Sequence, residues 1–182
     1  MKKLILLFLI IFTASETAAS IKDNIIKNLE GIDNISFKFE QNINGEIENG
    51  NCIIKYPKKI MCKYDLKNEK VLVSNGRSLV IKTINSYYIY PLEKTPLNFI
   101  LDKKFLLKKI ENSNERIIDD KLINFNFSQN ENKINVFFDT KTYNLIGWQT
   151  LDIYQNLSIT YINSIIRNKE LKKSLFKLPA QN

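Results

Sequence analysis

The sequence predicts a mostly β protein, an antiparallel barrel or sandwich of about eleven short strands with two amphipathic helical segments. Three observations carry the prediction. Apolar and polar residues alternate with period two from Ile35 onward, two Asn-Gly pairs sit between alternating runs, and turn residues recur at short intervals down the chain. The composition agrees: 44% hydrophobic and 11% aromatic residues in a chain of 182 can build the core of one domain.

The N-terminus comes first. Lys2 and Lys3 precede an unbroken apolar run from Leu4 to Phe12, and the small residues Thr17, Ala18, Ala19 and Ser20 follow. These are the three regions of a secretory signal peptide, predicted over residues 1–20, and the run is too short to span a bilayer. Cleavage after Ala19 or Ser20 puts no cysteine first, so no lipid anchor is expected there. The mature part, residues 21–182, is expected to be one exported domain whose natural address is the periplasm.

Ile21, Ile25, Ile26, Leu29 and Ile32 recur at helical spacing until Gly31 interrupts them, which predicts a short helix with one apolar face. From Ile35 to Ile43 the alternation predicts a strand, and Asn44-Gly45 a tight hairpin. The next strand is expected over Gly50 to Tyr56, turning at Pro57-Lys58-Lys59 and returning through Ile60, Cys62 and Tyr64. Val71 to Ser74 and Ser78 to Lys82 flank Asn75-Gly76 as a second hairpin, and Tyr87 to Tyr90 follows as a strand. Pro96 to Ile110 is too apolar for a surface loop and has a helical period, with Asp102-Lys103-Lys104 as a point of division. Strands resume at Glu115 to Asp119, Leu122 to Ser128, Lys133 to Asp139, Leu145 to Ile153 and Leu157 to Asn163.

Composition also excludes chemistry. With no histidine there is no imidazole base and no Ser-His or Cys-His pair, and two cysteines are too few for a four-thiolate metal centre. Asp119-Asp120 is the one adjacent carboxylate pair, but neighbouring strand residues point to opposite faces, so it makes a poor acid-base dyad. Asp139 suits the turn before Tyr143-Asn144 instead. We expect no enzyme, no cofactor and no metal site. The net charge of +8 is spread along the chain rather than gathered in a stripe, which argues against nucleic acid as a partner.

A sheet of alternating strands has one apolar face, and the two helical segments offer little to cover it. A curved sheet closed by them would leave a cavity for one small ligand. Equally, Phe37, Phe39, Ile54, Leu79 and the segment from Phe99 to Leu107 could simply pack on one another. Cys52 and Cys62 each lie five residues from Pro57, hence opposite each other if the turn is centred there; a disulfide and two buried thiols both remain open.

The order of short motifs resembles the outer-membrane lipoprotein carrier family, LolA. The motifs are Phe37-Lys38-Phe39-Glu40-Gln41, the Gly50-to-Pro57 strand with its Lys-x-Pro turn, Val71-Leu72-Val73-Ser74-Asn75-Gly76, and Pro96-Leu97. Further on stand Asp139 with Leu145 and Trp148, then Asp152 with Gln155-Asn156 and Thr160, and finally Phe176 with Leu178-Pro179. The resemblance implies an incomplete antiparallel barrel of about eleven strands whose helices form a lid over an apolar cavity. It implies a monomeric periplasmic carrier whose cargo is acylated lipoproteins, taken from an inner-membrane ATP-driven release complex and delivered to an outer-membrane receptor of the LolB kind where one exists. A lipid-binding sensor or protein-interaction module of the same fold is the alternative.

On this resemblance the acyl chains would touch Ile25 and Leu29 of the first helix. On the strands they would touch Phe37, Phe39, Ile54, Tyr56, Ile60, Tyr64, Leu79, Ile81, Tyr88 and Tyr90. In the middle segment they would touch Leu97, Phe99, Ile100, Leu101 and Phe105. One position departs from the family: the residue before the proline of the Lys-x-Pro turn is commonly an arginine that latches the lid, and here it is Tyr56. One hydroxyl replaces five donors, so a latch that is weaker or absent is expected.

Overall fold

In a computed structural model, which describes residues 20–129, 132–152 and 154–181, Ser20 caps the first helix, α1 (Ile21–Glu30). The Ser20 hydroxyl accepts from the Asp23 amide at 3.1 Å, and the Asp23 carboxylate accepts from the Ser20 amide at 3.2 Å. This reciprocal pair occupies donors that a helix start leaves unmatched. Apart from Ser20, the predicted signal peptide lies outside the described residues.

The first half of the sheet follows as β1 (Asn34–Ile43), β2 (Glu46–Lys55), β3 (Lys59–Tyr64), β4 (Val71–Asn75), β5 (Ser78–Lys82) and β6 (Tyr87–Pro91). A 3-10 turn (Leu92–Lys94) leads into α2 (Leu97–Ile100) and α3 (Lys103–Glu111). The second half is β7 (Glu115–Ile118), β8 (Leu122–Gln129), β9 (Asn132–Asp139), β10 (Leu145–Leu151) and β11 (Leu157–Arg167). The helical period from Pro96 is thus divided where expected: the Asp102 carboxylate caps α3 by accepting from the Phe105 amide at 3.1 Å.

All eleven strands form one sheet in the order β6-β5-β4-β3-β2-β1-β11-β10-β9-β8-β7. Consecutive strands pair antiparallel within β1–β6 and within β7–β11, and β1 also pairs antiparallel with β11 and so joins the two halves. The outer strands β6 and β7 do not pair, and the chain between them supplies α2 and α3. Among the described residues the expected incomplete barrel is therefore an open eleven-stranded sheet with three α-helices.

Two strands are longer than their apolar alternation suggested. Asn44 and Gly45 both take positive φ, 51° and 94°, as a tight hairpin requires, and pairing begins at once with Ile43 opposite Glu46. β2 thus starts four residues before Gly50 and turns Glu48 toward the concave face, where Lys70 neutralises it at 2.6 and 2.8 Å. β11 likewise runs on to Arg167, because after an irregularity at Ser36 to Lys38 the start of β1 pairs with Ile166 and Arg167. The strand expected to reach Ile153 ends at Leu151, and Ile153 lies outside the described residues. Asp139 serves its turn: its carboxylate accepts from the Lys141 amide and from the Thr142 amide and hydroxyl at 3.1, 2.6 and 2.7 Å.

Those Thr142 bonds hold the Asp139 carboxyl below its ordinary range. The turn's contribution is therefore complete above the ordinary carboxylate range and fades as pH falls through the lowered value.

The core lies on the concave face. Ile25 and Leu29 of α1 and Leu106 and Ile110 of α3 are buried against Ile35, Phe37, Ile54 and Ile60 on one half of the sheet and Ile123, Phe125, Val136 and Phe138 on the other. Each such side chain contributes roughly 1.5–3 kcal/mol when fully buried. One close approach fixes the register at the centre. Gly50 stands between Phe39 of β1 and Tyr64 of β3, and a Cβ there would meet the Lys63 carbonyl oxygen at 2.2 Å and the Phe39 ring at 2.8 Å. Glycine lets the Phe39 ring lie across the strand and present its edge to Tyr64, with centroids 5.0 Å apart. We predict that Gly50→Ala costs about 1–3 kcal/mol through overpacking, read as a lower urea midpoint at unchanged slope. An unchanged midpoint would mean that the two strands separate there without cost.

Candidate functional site

Along each central strand the side chains facing the concave surface change character from one end of the sheet to the other. On β1 they are Ile35, Phe37 and Phe39, then Gln41 and Ile43; on β11, with the opposite direction, they are Ile162, then Thr160 and Ser158. The apolar end carries the helices. The Lys103 ammonium of α3 donates to the Glu30 and Ile32 carbonyls at the end of α1, at 2.9 and 2.8 Å, where free helix carbonyls and the negative end of the helix dipole favour a cation. The Lys58 amide, in the turn between β2 and β3, donates to the Leu101 carbonyl at 2.8 Å, and the Lys58 side chain meets Asp102 at 3.5 Å. The Asn168 side-chain amide donates to the Gly31 carbonyl at 2.8 Å, tying α1 to the end of β11.

Beyond the helices the concave face is open. A cavity of about 310 Å³ extends there, lined by aliphatic and aromatic groups that include Phe39, Ile60, Leu72, Leu79, Ile81 and Trp148. Thr95, Pro96 and Leu97, at the entry to α2, form part of its wall, so the mid-chain helices border the cavity as well as cover the core. Toward its outer end the lining becomes polar: Gln41, Thr150, Ser158 and Thr160 stand there with Lys70 and Asp152. The Gln41 side-chain amide donates to the Ser158 and Thr160 hydroxyls at 2.9 and 3.3 Å, while its carbonyl oxygen accepts from the Tyr64 hydroxyl at 3.3 Å. Lys70 closes this rim by lying over the Tyr64 ring at 4.2 Å while paired with Glu48. Burial, reinforced by the Glu48 charge, pushes the Tyr64 phenol up, so it stays a neutral donor.

Tyr90 of β6 and Tyr154 of the β10–β11 turn also line the cavity, and their hydroxyls stand 3.4 Å apart. That hydrogen bond, more than desolvation, pushes the Tyr90 phenol up to about 12. Tyr154 is 68% exposed, which places this contact at the mouth. Cys52 and Cys62 are joined by a disulfide across β2 and β3, directly opposite in register, and the pair forms part of the wall. This closes the alternative that the sequence left open. Among the described residues no three Cys, Asp or Glu side chains converge as metal ligands.

The structure divides the seventeen predicted lipid-contacting residues. Phe39, Ile60, Tyr64, Leu79, Ile81, Tyr88, Tyr90 and Leu97 line the cavity. Ile25, Leu29, Phe37, Ile54, Tyr56, Phe99, Ile100 and Leu101 are buried in the core instead, and Phe105 is half-buried with its ring 5.1 Å from Phe99 and 5.7 Å from Phe127. Period-two alternation tells which face a side chain takes but not how far along the strand the helices reach. Gln41 and Thr160 were named only within motifs of the resemblance, and Thr150 and Ser158 not at all, although each shares the parity of an apolar inward neighbour, as Gln41 does with Phe39. Trp148 is both core and cavity wall.

Tyr56 makes no latch through its hydroxyl, and other residues fasten the helices. The Tyr56 ring is buried, its hydroxyl finds no partner among the described residues, and desolvation pushes its phenol up. Lys103, 5.9 Å above that ring, and the backbone of Lys58 hold the helices down instead.

A model of the family described as outer membrane lipoprotein carrier protein LolA matches residues 30–179. No curated protein matches the chain. Among solved structures, the chain is similar to a LolA superfamily protein from Nitrosomonas europaea, with 8% identity over 88% of this chain and 99% of that one and a TM-score of 0.46. It is also similar to the lipoprotein LppX of Mycobacterium tuberculosis, with 10% identity over 82% and 93% of the two chains and a TM-score of 0.43.

Two substitutions test how the helices are held. Tyr56→Phe is predicted to change stability by less than about 0.5 kcal/mol, because it removes a buried hydroxyl that has nothing to bond. Lys103→Met should cost about 1 kcal/mol by freeing two carbonyls, even allowing for partial exposure of the ammonium. Urea unfolding checks both, and the reverse ranking would return the latch to Tyr56.

Proposed function

The chain belongs to the LolA family of outer membrane lipoprotein carrier proteins, and on that premise we propose that it carries lipoproteins by taking their acyl chains into the cavity at the helix-free end of the sheet. The observation that carries this reading is the cavity itself, about 310 Å³ with a wall of aliphatic and aromatic side chains. Each methylene withdrawn from water is worth roughly 0.8 kcal/mol, so an acylated protein crosses an aqueous compartment only if its chains are covered. Passage from bilayer to cavity is nearly neutral, since both are hydrocarbon-like. Direction must therefore come from energy supplied at the donor and from tighter binding at the acceptor. We assign those roles to an inner-membrane ATP-driven complex and an outer-membrane receptor, with the chain itself exported to the periplasm and performing no catalysis.

Size sets a further condition. At about 310 Å³ the cavity is at the small end of the range for ligand pockets, roughly 300–1,000 Å³. A cargo with several chains needs more room, and the wall contributed by Thr95, Pro96 and Leu97 supplies it if α2 and α3 move outward. Such an opening breaks the hydrogen bonds at Lys103 and Lys58 and also uncovers Ile100, Leu101, Leu106 and Ile110, so a bound acyl chain has to replace the apolar cover that these side chains lose.

The test is a titration of the mature protein with a triacylated lipopeptide and with the same peptide lacking its acyl chains, read by native mass. One-to-one binding that requires the acyl chains is the expected result. Amide exchange over Ile21–Ile32 and Pro96–Ile110 should quicken in the complex. Binding of neither peptide would remove the carrier reading. Tight binding that an acceptor membrane cannot reverse would assign the chain to sensing instead.

A further inference from the structure

The polar stripe at the outer end of the cavity is built in a way that a plain acyl pocket does not need. Thr150 and Ser158 stand directly opposite each other on β10 and β11, and Thr160 stands opposite Gln41 of β1. Thr150, Ser158 and Thr160 are all buried, yet all three line the cavity. Ser158 and Thr160 both accept from the Gln41 amide, which leaves each hydroxyl proton free to donate elsewhere. The Thr150 hydroxyl has no partner among the described residues. The Thr150 oxygen is not among the fully buried polar atoms that lack a partner, so these hydroxyls open onto the cavity, where a ligand's acceptor can take the place of water.

From this geometry we infer that the stripe Thr150–Ser158–Thr160, oriented by Gln41, is a subsite for the neutral carbonyl oxygen of the ester or amide that links an acyl chain to its polar head. The inference rests on the acyl-cavity reading and adds the ligand's linkage to it. A chain running inward along the apolar wall past Trp148 brings its first carbon, and hence that carbonyl, to the outer end where the hydroxyls are. The donors are uncharged, and Lys70, the one cation at the rim among the described residues, is paired with Glu48. A neutral acceptor is therefore matched better than a phosphate or a free carboxylate.

Four probes of equal chain length separate the possibilities: monopalmitoylglycerol (an ester), N-palmitoylserinol (an amide), 1-O-hexadecylglycerol (an ether without the carbonyl) and palmitate. The ester, the amide or both should bind about five- to thirtyfold more tightly than the ether, as one or two neutral hydrogen bonds allow, and palmitate should gain nothing over the ether. Whichever of ester and amide shows the preference identifies the linkage. In Ser158→Ala/Thr160→Val the ratio of carbonyl to ether affinity should fall toward one. Equal affinities for ester, amide and ether, or a ratio that the double substitution leaves unchanged, would overturn the subsite while the acyl cavity stands. Failure of all four probes to bind would remove the cavity reading itself.

Discussion

An antiparallel sheet with one apolar face has to cover that face, and among the described residues the helical cover comes at two places, α1 and the pair α2 and α3. The pairing of β1 with β11 joins the two halves into one curved surface, and α1 and α3 bury themselves against one end of it. What they do not reach stays concave and apolar, and there the cavity lies. The proposed binding site is thus the uncovered remainder of the core.

The two ends of the concave face meet different demands, and the inward residues follow them. Beneath the helices water is excluded, and the positions are filled by Ile35, Phe37, Ile54 and their neighbours. At the open end inward positions hold Gln41, Glu48, Thr160 and Ser158, each joined to a partner: Glu48 to Lys70, and Gln41 to both hydroxyls. A polar network tolerates contact with water and with the polar part of a ligand, whereas an apolar rim of the same size would invite association with other chains. The fastenings of the helices are similarly divided. Packing holds α1 and α3 down, while Lys103 and the turn at Lys58 fix their ends with a small number of hydrogen bonds.

Much of the fold was legible because local signals agreed with it. The Asn44-Gly45 and Asn75-Gly76 pairs, the alternation through Phe37 and Phe39, and the break at Asp102 each report a constraint on backbone geometry that neighbours do not override. The extension of β2 back to Glu46 was hidden, because an inward glutamate looks like the end of a strand until Lys70, distant in sequence, neutralises it. The candidate site was legible in half. Apolar inward residues such as Leu79 and Tyr64 were found by their parity, but parity cannot show that Ile54 lies under a helix while Ile81 faces the cavity. The hydroxyl stripe escaped because Thr150, Ser158 and Thr160 come together only through the pairing of β10 with β11 and of β11 with β1. Tyr56 was expected among the lipid-contacting residues and lies in the core, and the helix end is fastened by Lys103, a residue that its own stretch of sequence marks only as charged.

The central claim is that acyl chains occupy this cavity, and the protein carries its own probe for it. Trp148, the single tryptophan, lines the cavity wall with its ring edge-on to Phe37. A lipopeptide whose acyl chain carries bromine along its length quenches indole emission only at short range. Saturating quenching of Trp148 by the brominated chain, with none from the unbrominated one at equal occupancy, is the predicted result. Binding of the brominated lipopeptide with full tryptophan emission would place the acyl chain elsewhere and contradict the account.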